Sequence, residues 1–253
     1  MAAAGSLLDR AYGLGRSLRT YYGVPGRAAR MRAFYATFVR PGDLCFDIGA
    51  HVGDRSRCWR RLGAAKVVAV EPQPDFARFL RLLFRYDPAV TVLEQAVGAA
   101  PGTLALRVSP RTPTVTTGSD VFIAEATRVP SFAWVDWSGR VEVPVTTLDA
   151  LIEAHGEPAF AKIDVEGMEH EVLAGLSRPL SALSFEFVPS SMSSALASLE
   201  RLEALGTYRF EVSLGEEMRL RLGRWVDAAA MRRWLSDREP VGDSGDVYAR
   251  WSG

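Results

Sequence analysis

From Pro41 onward the chain alternates short β-branched runs with stretches whose apolar residues fall at helical spacing, and this alternation restricts the fold more than any other feature. Neighbouring parallel strands need long crossover connections, usually helices, so the pattern predicts an α/β domain with a mostly parallel sheet covered on both faces. Seven core strands are expected, at residues 44–49, 66–70, 90–97, 160–164, 182–187, 208–213 and 246–251, the last able to insert antiparallel. The helices fall between them at 54–62, 75–86, 169–176, 194–205 and 227–235.

With 253 residues, 48% of them hydrophobic, the chain can bury one full core. The expected organisation is an N-terminal helical segment over 1–40, a candidate lid interrupted at Pro25-Gly26, and then one domain over 41–253. Within that domain the alternation fails at about 98–146. Two added strands, 103–108 and 141–146, are expected to flank a proline- and threonine-rich piece, SPRTPTVTTGSD. Loops this long inside a compact domain are usually functional or disordered.

Thirty basic residues balance thirty acidic ones, so no overall field draws the molecule to nucleic acid or to an anionic membrane. No run reaches the ~18–20 apolar residues of a membrane span. Cys45 and Cys58 are expected to be buried free thiols in a cytoplasmic, reducing compartment, and His51, His155 and His170 are too scattered for a zinc site. The oligomeric state stays open.

The segment Asp47-Ile48-Gly49-Ala50-His51-Val52-Gly53 leaves the first strand and enters a helix, where glycines allow a sharp turn and a close ligand. Two glycines four apart are not the three-glycine fingerprint of dinucleotide folds, and Asp47 would repel a pyrophosphate. A carboxylate there suits a cationic amine and a sulfonium, the charges of S-adenosylmethionine. Glu71 ends the second strand, where an acid can accept from both ribose hydroxyls, and Pro72 directs the chain onward. Gln95 and Ala96 are expected beside an adenine ring. A nicotinamide-dependent oxidoreductase and a non-catalytic nucleoside-binding module stand as the alternatives.

Four segments, FDIGAHVGD at 46–54, VAVEPQP at 68–74, VPVTTLDALI at 143–152 and KIDVEGMEHEVLAGL at 162–176, resemble the FkbM family of methyltransferases. The resemblance implies a Rossmann-like class I methyltransferase fold, S-adenosylmethionine as donor, and a hydroxyl of a sugar or secondary metabolite as acceptor. It places Asp47, Gly49, Ala50, His51 and Gly53 in the donor-binding loop, Ser56 at a position where the family often carries a hydroxyl, Glu71 on the ribose, and Asp164 as the acid of the KIDVEG motif.

Methyl transfer to an alcohol requires alignment of acceptor, methyl and sulfur, and removal of the hydroxyl proton. Asp164, at the tip of a strand expected beside the first, is the leading candidate for that proton, with Glu166 two residues on. Glu186, an acid between Phe185 and Phe187, is the second candidate, since such a group is costly unless paired or functional. Asp164 and Glu186 also resemble the paired acids of metal-dependent catechol-type O-methyltransferases, where oxygen ligands hold magnesium, although Phe187 stands where an amide ligand would be expected. Arg111, Thr112, Thr114, Thr116 and Thr117, together with Trp134 and Trp137, offer donors and flat surfaces suited to a sugar.

Overall fold

The computed structural model describes residues 6–129, 132, 134–238 and 243–253. Its centre is a seven-stranded sheet built from β1 (Leu44–Ile48), β2 (Lys66–Val70), β3 (Val90–Leu93), β7 (Phe160–Ile163), β8 (Ala182–Phe187), β9 (Tyr208–Leu214) and β10 (Gly245–Trp251). The strand order is β3-β2-β1-β7-β8-β10-β9. β1 pairs in parallel with β2 on one side and β7 on the other, so the chain reverses its winding direction at β1. Such a switch point opens a crevice at the carboxyl ends of the strands. β10 is antiparallel to both β8 and β9, the insertion anticipated for the last strand.

Helices α3 (Asp54–Arg61), α4 (Pro74–Leu83), α6 (Leu148–His155), α7 (Glu169–Ala174), α8 (Met192–Leu205) and α9 (Ala228–Ser236) cover the sheet. One core forms where Phe46, Ile48, Ile163, Leu183 and Phe185 meet Leu173, Leu199 and Leu202. A second, aromatic core lies on the other face. There α2 (Arg27–Tyr35) sets Phe34 and Tyr35 against Trp59, Phe160 and Tyr248, with ring centroids 5.1–5.9 Å apart. The second half of the N-terminal segment is thus core of the main domain. Only α1 (Leu7–Tyr22) lies outside it, turned away at Gly26, which adopts φ +76°.

The expected third strand, 90–97, divides. β3 ends at Leu93, and Ala96–Val97 forms β4 of a separate three-stranded sheet with β5 (Gly102–Val108) and β6 (Gly139–Thr146), in the order β4-β6-β5. Glu94 and Gln95 form the break, with Glu94 paired to Arg81 at 2.7 Å. Alternation of side chains continues through such a change of sheet, which hides it from the pattern. Between β5 and β6 lies an unforeseen helix, α5 (Asp120–Ala126), capped by the Ser119 hydroxyl and anchored by the fully buried Phe122.

No helix among the described residues is long and apolar enough to cross a membrane. Cys45 and Cys58 are free and buried.

Candidate active site

The crevice at the switch point holds a cavity lined by Gly49 and His51 after β1, Glu71 and Pro72 after β2, Gln95 and Ala96 after β3, and Asp164 and Glu166 after β7. Thr114, Thr116 and Thr117 of the insertion close one side, and Tyr21 of α1 closes another. These walls leave a volume of about 90 Å³.

Asp47 does not face this space. It lies beneath the loop, 2% exposed, and its Oδ2 accepts from the Ser56 backbone N–H at 3.0 Å and the Ser56 hydroxyl at 2.5 Å. Burial pushes its pKa up to about 6, the Ser56 hydrogen bond opposing the rise. Asp47 therefore ties the end of β1 to the first turn of α3, rather than presenting a charge to a ligand. Ser56, fully buried, is the other half of that tie. Gly53, at φ +72°, packs against Leu80 and Phe84, and Ala50 joins the same small cluster. Of the expected donor-loop residues, Gly49 and His51 line the cavity, whereas Asp47, Ala50, Gly53 and Ser56 do not.

Glu71 does face the cavity. Its two oxygens accept from the backbone N–H groups of His51 and Gln73, each at 2.8 Å. Each oxygen keeps a second lone pair, so a diol can still be bound. Burial raises its pKa to about 7 against those two hydrogen bonds. His51 adopts φ +48° and packs against Phe76 with the rings tilted by 35° and centroids 4.4 Å apart. Burial pushes its pKa down to about 4, so the ring is a neutral wall.

At the tip of β7 the chain gathers three acids, one of them held by a lysine. One carboxylate oxygen each of Asp164, Glu166 and Glu186 lies within 4.8 Å of the others. Lys162, 2% exposed, donates to Asp164 at 2.7 Å and to Asp246 at 3.1 Å. Its charge holds Asp164 below the usual carboxylate range, against the opposing effect of burial. Burial and the Asp164 charge push Glu186 and Glu166 well up. The result is one ionised acid beside two that favour protonation. Glu186 stands behind Asp164, paired across to Asp246 in the β8–β10 ladder, and does not line the cavity.

The turn carrying Asp164 is fixed by Glu169, whose Oε1 accepts from the N–H groups of Val165 and Gly167 at 3.1 Å each and whose Oε2 accepts from the Ser194 hydroxyl at 2.9 Å. Within it Glu166 holds φ +55° and its carbonyl accepts from the Thr117 hydroxyl at 2.7 Å. Gln73 donates to Thr116 Oγ1 at 3.0 Å, so both sides of the crevice hold the insertion. Trp137 donates its indole N–H to the Val115 carbonyl at 2.9 Å and braces that segment from behind.

Tyr21 meets His51 edge-on at 5.3 Å and lies under the guanidinium groups of Arg27 and Arg55, at 4.8 and 5.7 Å. Those arginines share Asp54, buried like them, and the half-exposed Glu216. The Tyr22 hydroxyl donates to the Val52 carbonyl at 2.9 Å, and Arg10 pairs with Asp75 at the start of α4. Sequence reasoning passed over Tyr21, Lys162 and Glu169. A lysine inside an apolar strand was a signal available for the second; Tyr21 had none, since its place depends on how α1 docks.

Among curated proteins the chain is similar to the hexuronic acid methyltransferase AglP of Haloferax volcanii, 28% identical over 58% of this chain and 55% of that protein, so the match spans about half the relative's length. Among solved structures it is similar to a methyltransferase FkbM from Methylobacillus flagellatus KT, with a TM-score of 0.50 and 15% identity over 86% of this chain and 50% of that one, a likeness of fold. Residues 47–238 match the family described as the methyltransferase FkbM domain, and the chain belongs to that family.

Proposed function

We propose that this protein transfers a methyl group from S-adenosylmethionine to a hydroxyl of a sugar-like small molecule. The observation that carries the reading is the meeting of Gly49, Glu71 and Asp164, from the tips of three adjacent strands, around one cavity. The family supports methyl transfer, and a relative named for hexuronic acid supports a sugar acceptor.

In this reading the donor supplies an already activated methyl group, and the protein aligns the partners and manages one proton. Glu71 accepts from the ribose hydroxyls, with Gln95 and Ala96 along the base. Asp164, kept ionised by Lys162, accepts the proton of the acceptor hydroxyl. Glu186 sits behind it as a positioning residue. Thr114, Thr116 and Thr117 offer hydroxyls to the acceptor. A volume of about 90 Å³ is small beside the roughly 300 Å³ and more of ordinary ligand sites, so α1, carrying Tyr21, serves as a lid that shifts to admit the ligands.

The acids that magnesium would require are present, yet the Lys162 ammonium already lies against Asp164 and supplies the positive charge of the cluster. No step is assigned to a metal.

Calorimetric titration with S-adenosylhomocysteine and with NAD tests the donor, and transfer of labelled methyl to glucuronic and galacturonic acids tests the acceptor class. Binding of S-adenosylhomocysteine but not NAD is expected. Binding of NAD alone would overturn the reading, and donor binding without transfer to any sugar would leave a nucleoside-binding module.

A further inference from the structure

Beyond the strand tips a second cavity, of about 650 Å³, opens between α1 and the insertion. Its walls carry Tyr12 and Arg16 from α1 and Arg111 and Trp134 from the insertion. Two stacked pairs cross it: the Arg16 guanidinium lies 4.7 Å from the Trp134 ring centre, and that of Arg111 lies 4.9 Å from the Tyr12 ring. Each pair takes its cation from one wall and its ring from the other. Tyr12 and Arg16 are four residues apart and share a helix face.

These groups are unusual for a surface. Trp134 is 56% exposed and Tyr12 55%, so much of each side chain stands in water although an arginine covers one face. Arg16 has one polar contact, 3.5 Å to Thr112 Oγ1, and no carboxylate partner among the described residues. Arg111 has Asp9 at 3.8 Å, beyond hydrogen-bond distance. Stacking occupies the face of a guanidinium and leaves its edge, where the N–H donors point, open to an anion.

The groove adjoins the reaction site along the insertion. Thr112 lines the outer cavity, while Pro113 and Thr114, next in the chain, line the inner one. Gly13 of α1 packs against Pro110 of the outer lining and Pro113 of the inner one, so a molecule bound in both requires α1 to shift. Aromatic faces suit the C–H surfaces of pyranose rings, and guanidinium edges pair bidentately with carboxylate. Asp9 and Asp136, on the same walls, accept from sugar hydroxyls and oppose a densely charged polyphosphate.

We propose that this groove is a second saccharide subsite, holding the neighbouring uronate-type unit of an acidic oligosaccharide whose adjoining sugar occupies the reaction cavity. The assignment rests on the sugar reading of the acceptor and extends it from a monosaccharide to a chain. Arg16 and Arg111 take the carboxylate, and Trp134 and Tyr12 take the ring faces.

The test titrates the full-length protein with trigalacturonic acid, galacturonic acid and uncharged maltotriose, each with and without S-adenosylhomocysteine, for the wild type, an R16Q/R111Q variant and Trp134→Leu. The acidic trimer is expected to bind at least about tenfold more tightly than the monomer or maltotriose, the effect of one charge-assisted pair. R16Q/R111Q should erase that advantage and Trp134→Leu should weaken trimer binding, both with S-adenosylhomocysteine affinity unchanged, which also reports an intact fold. Equal binding of the trimer by wild type and variants, equal binding of maltotriose, or no trimer binding would each overturn the proposal. Loss of the methyl-donor reading would register separately, as failure to bind S-adenosylhomocysteine, because saccharide binding is read without it as well.

Discussion

Gly49 and Asp164 meet backbone to backbone at the tips of β1 and β7: Gly49 holds φ +84°, and a methyl group on its Cα would overlap the Asp164 carbonyl oxygen. Two loops from adjacent strands are thereby kept in contact at the centre of the crevice. No flexible side chain stands between them to give way.

Gly49→Ala is therefore expected to force the loops apart, at a cost of about 1–3 kcal/mol for the left-handed backbone alone. The donor site should be lost before the fold is. Calorimetry with S-adenosylhomocysteine alongside thermal unfolding checks this, and donor affinity equal to wild type would remove the contact from the account.

In its proposed role on the ribose, Glu71 links donor binding to pH. Its pKa of about 7, raised by burial above the ordinary 4.5, means that the folded protein keeps a proton that the unfolded chain releases above pH 4.5. The group's contribution to stability is thus fully present below about pH 4.5 and is lost as pH rises to about 7, a change of about 3 kcal/mol. Relative to Glu71→Gln, the wild type should lose stability by about that amount between pH 4.5 and 8, read from urea unfolding. Donor affinity should move oppositely in the wild type, falling as pH drops through 7, because a protonated acid accepts less well from ribose.

Asp164→Asn removes the proposed proton acceptor while leaving Lys162 paired with Asp246. Turnover should fall by about 10²–10⁴-fold with donor affinity retained, and single-turnover methyl transfer separates the two. Lys162→Met is the harsher change, since it leaves Asp164 and Asp246 without their cation. A destabilisation of about 3–5 kcal/mol is expected from breaking a buried pair.

Treatment with a chelator should leave activity unchanged, because Lys162 already supplies the positive charge at Asp164. Activity abolished by chelator and restored by magnesium would return the three acids to the role of ligands.

Gly13 lets α1 approach the insertion, where an added methyl group would overlap the Pro110 carbonyl. Gly13→Val should detach α1 without unfolding the domain, as the aromatic core is held by α2. Faster proteolysis around residues 23–26 and faster release of S-adenosylhomocysteine, with an unchanged melting temperature, are the expected signs.

The alternation of β-branched runs and amphipathic stretches determined the strands, their parallel sense and the positions of Glu71 and Asp164 at strand tips, because side-chain periodicity and turn residues are local properties of the chain. Local pattern also fixed that the first loop turns on Gly49 and Gly53. It could not say which side of that turn faces a ligand, and so Asp47 read as a ligand group when it is a tie to Ser56. The break after Leu93, the docking of α1 with Tyr21 over the cavity, and the meeting of Lys162, Asp164, Glu186 and Asp246 were decided only in the folded chain. Apart from Lys162 and Asp164, which are near neighbours at one strand tip, those relationships join residues far apart in the chain, and burial and charge act on them through space, where sequence separation has no bearing.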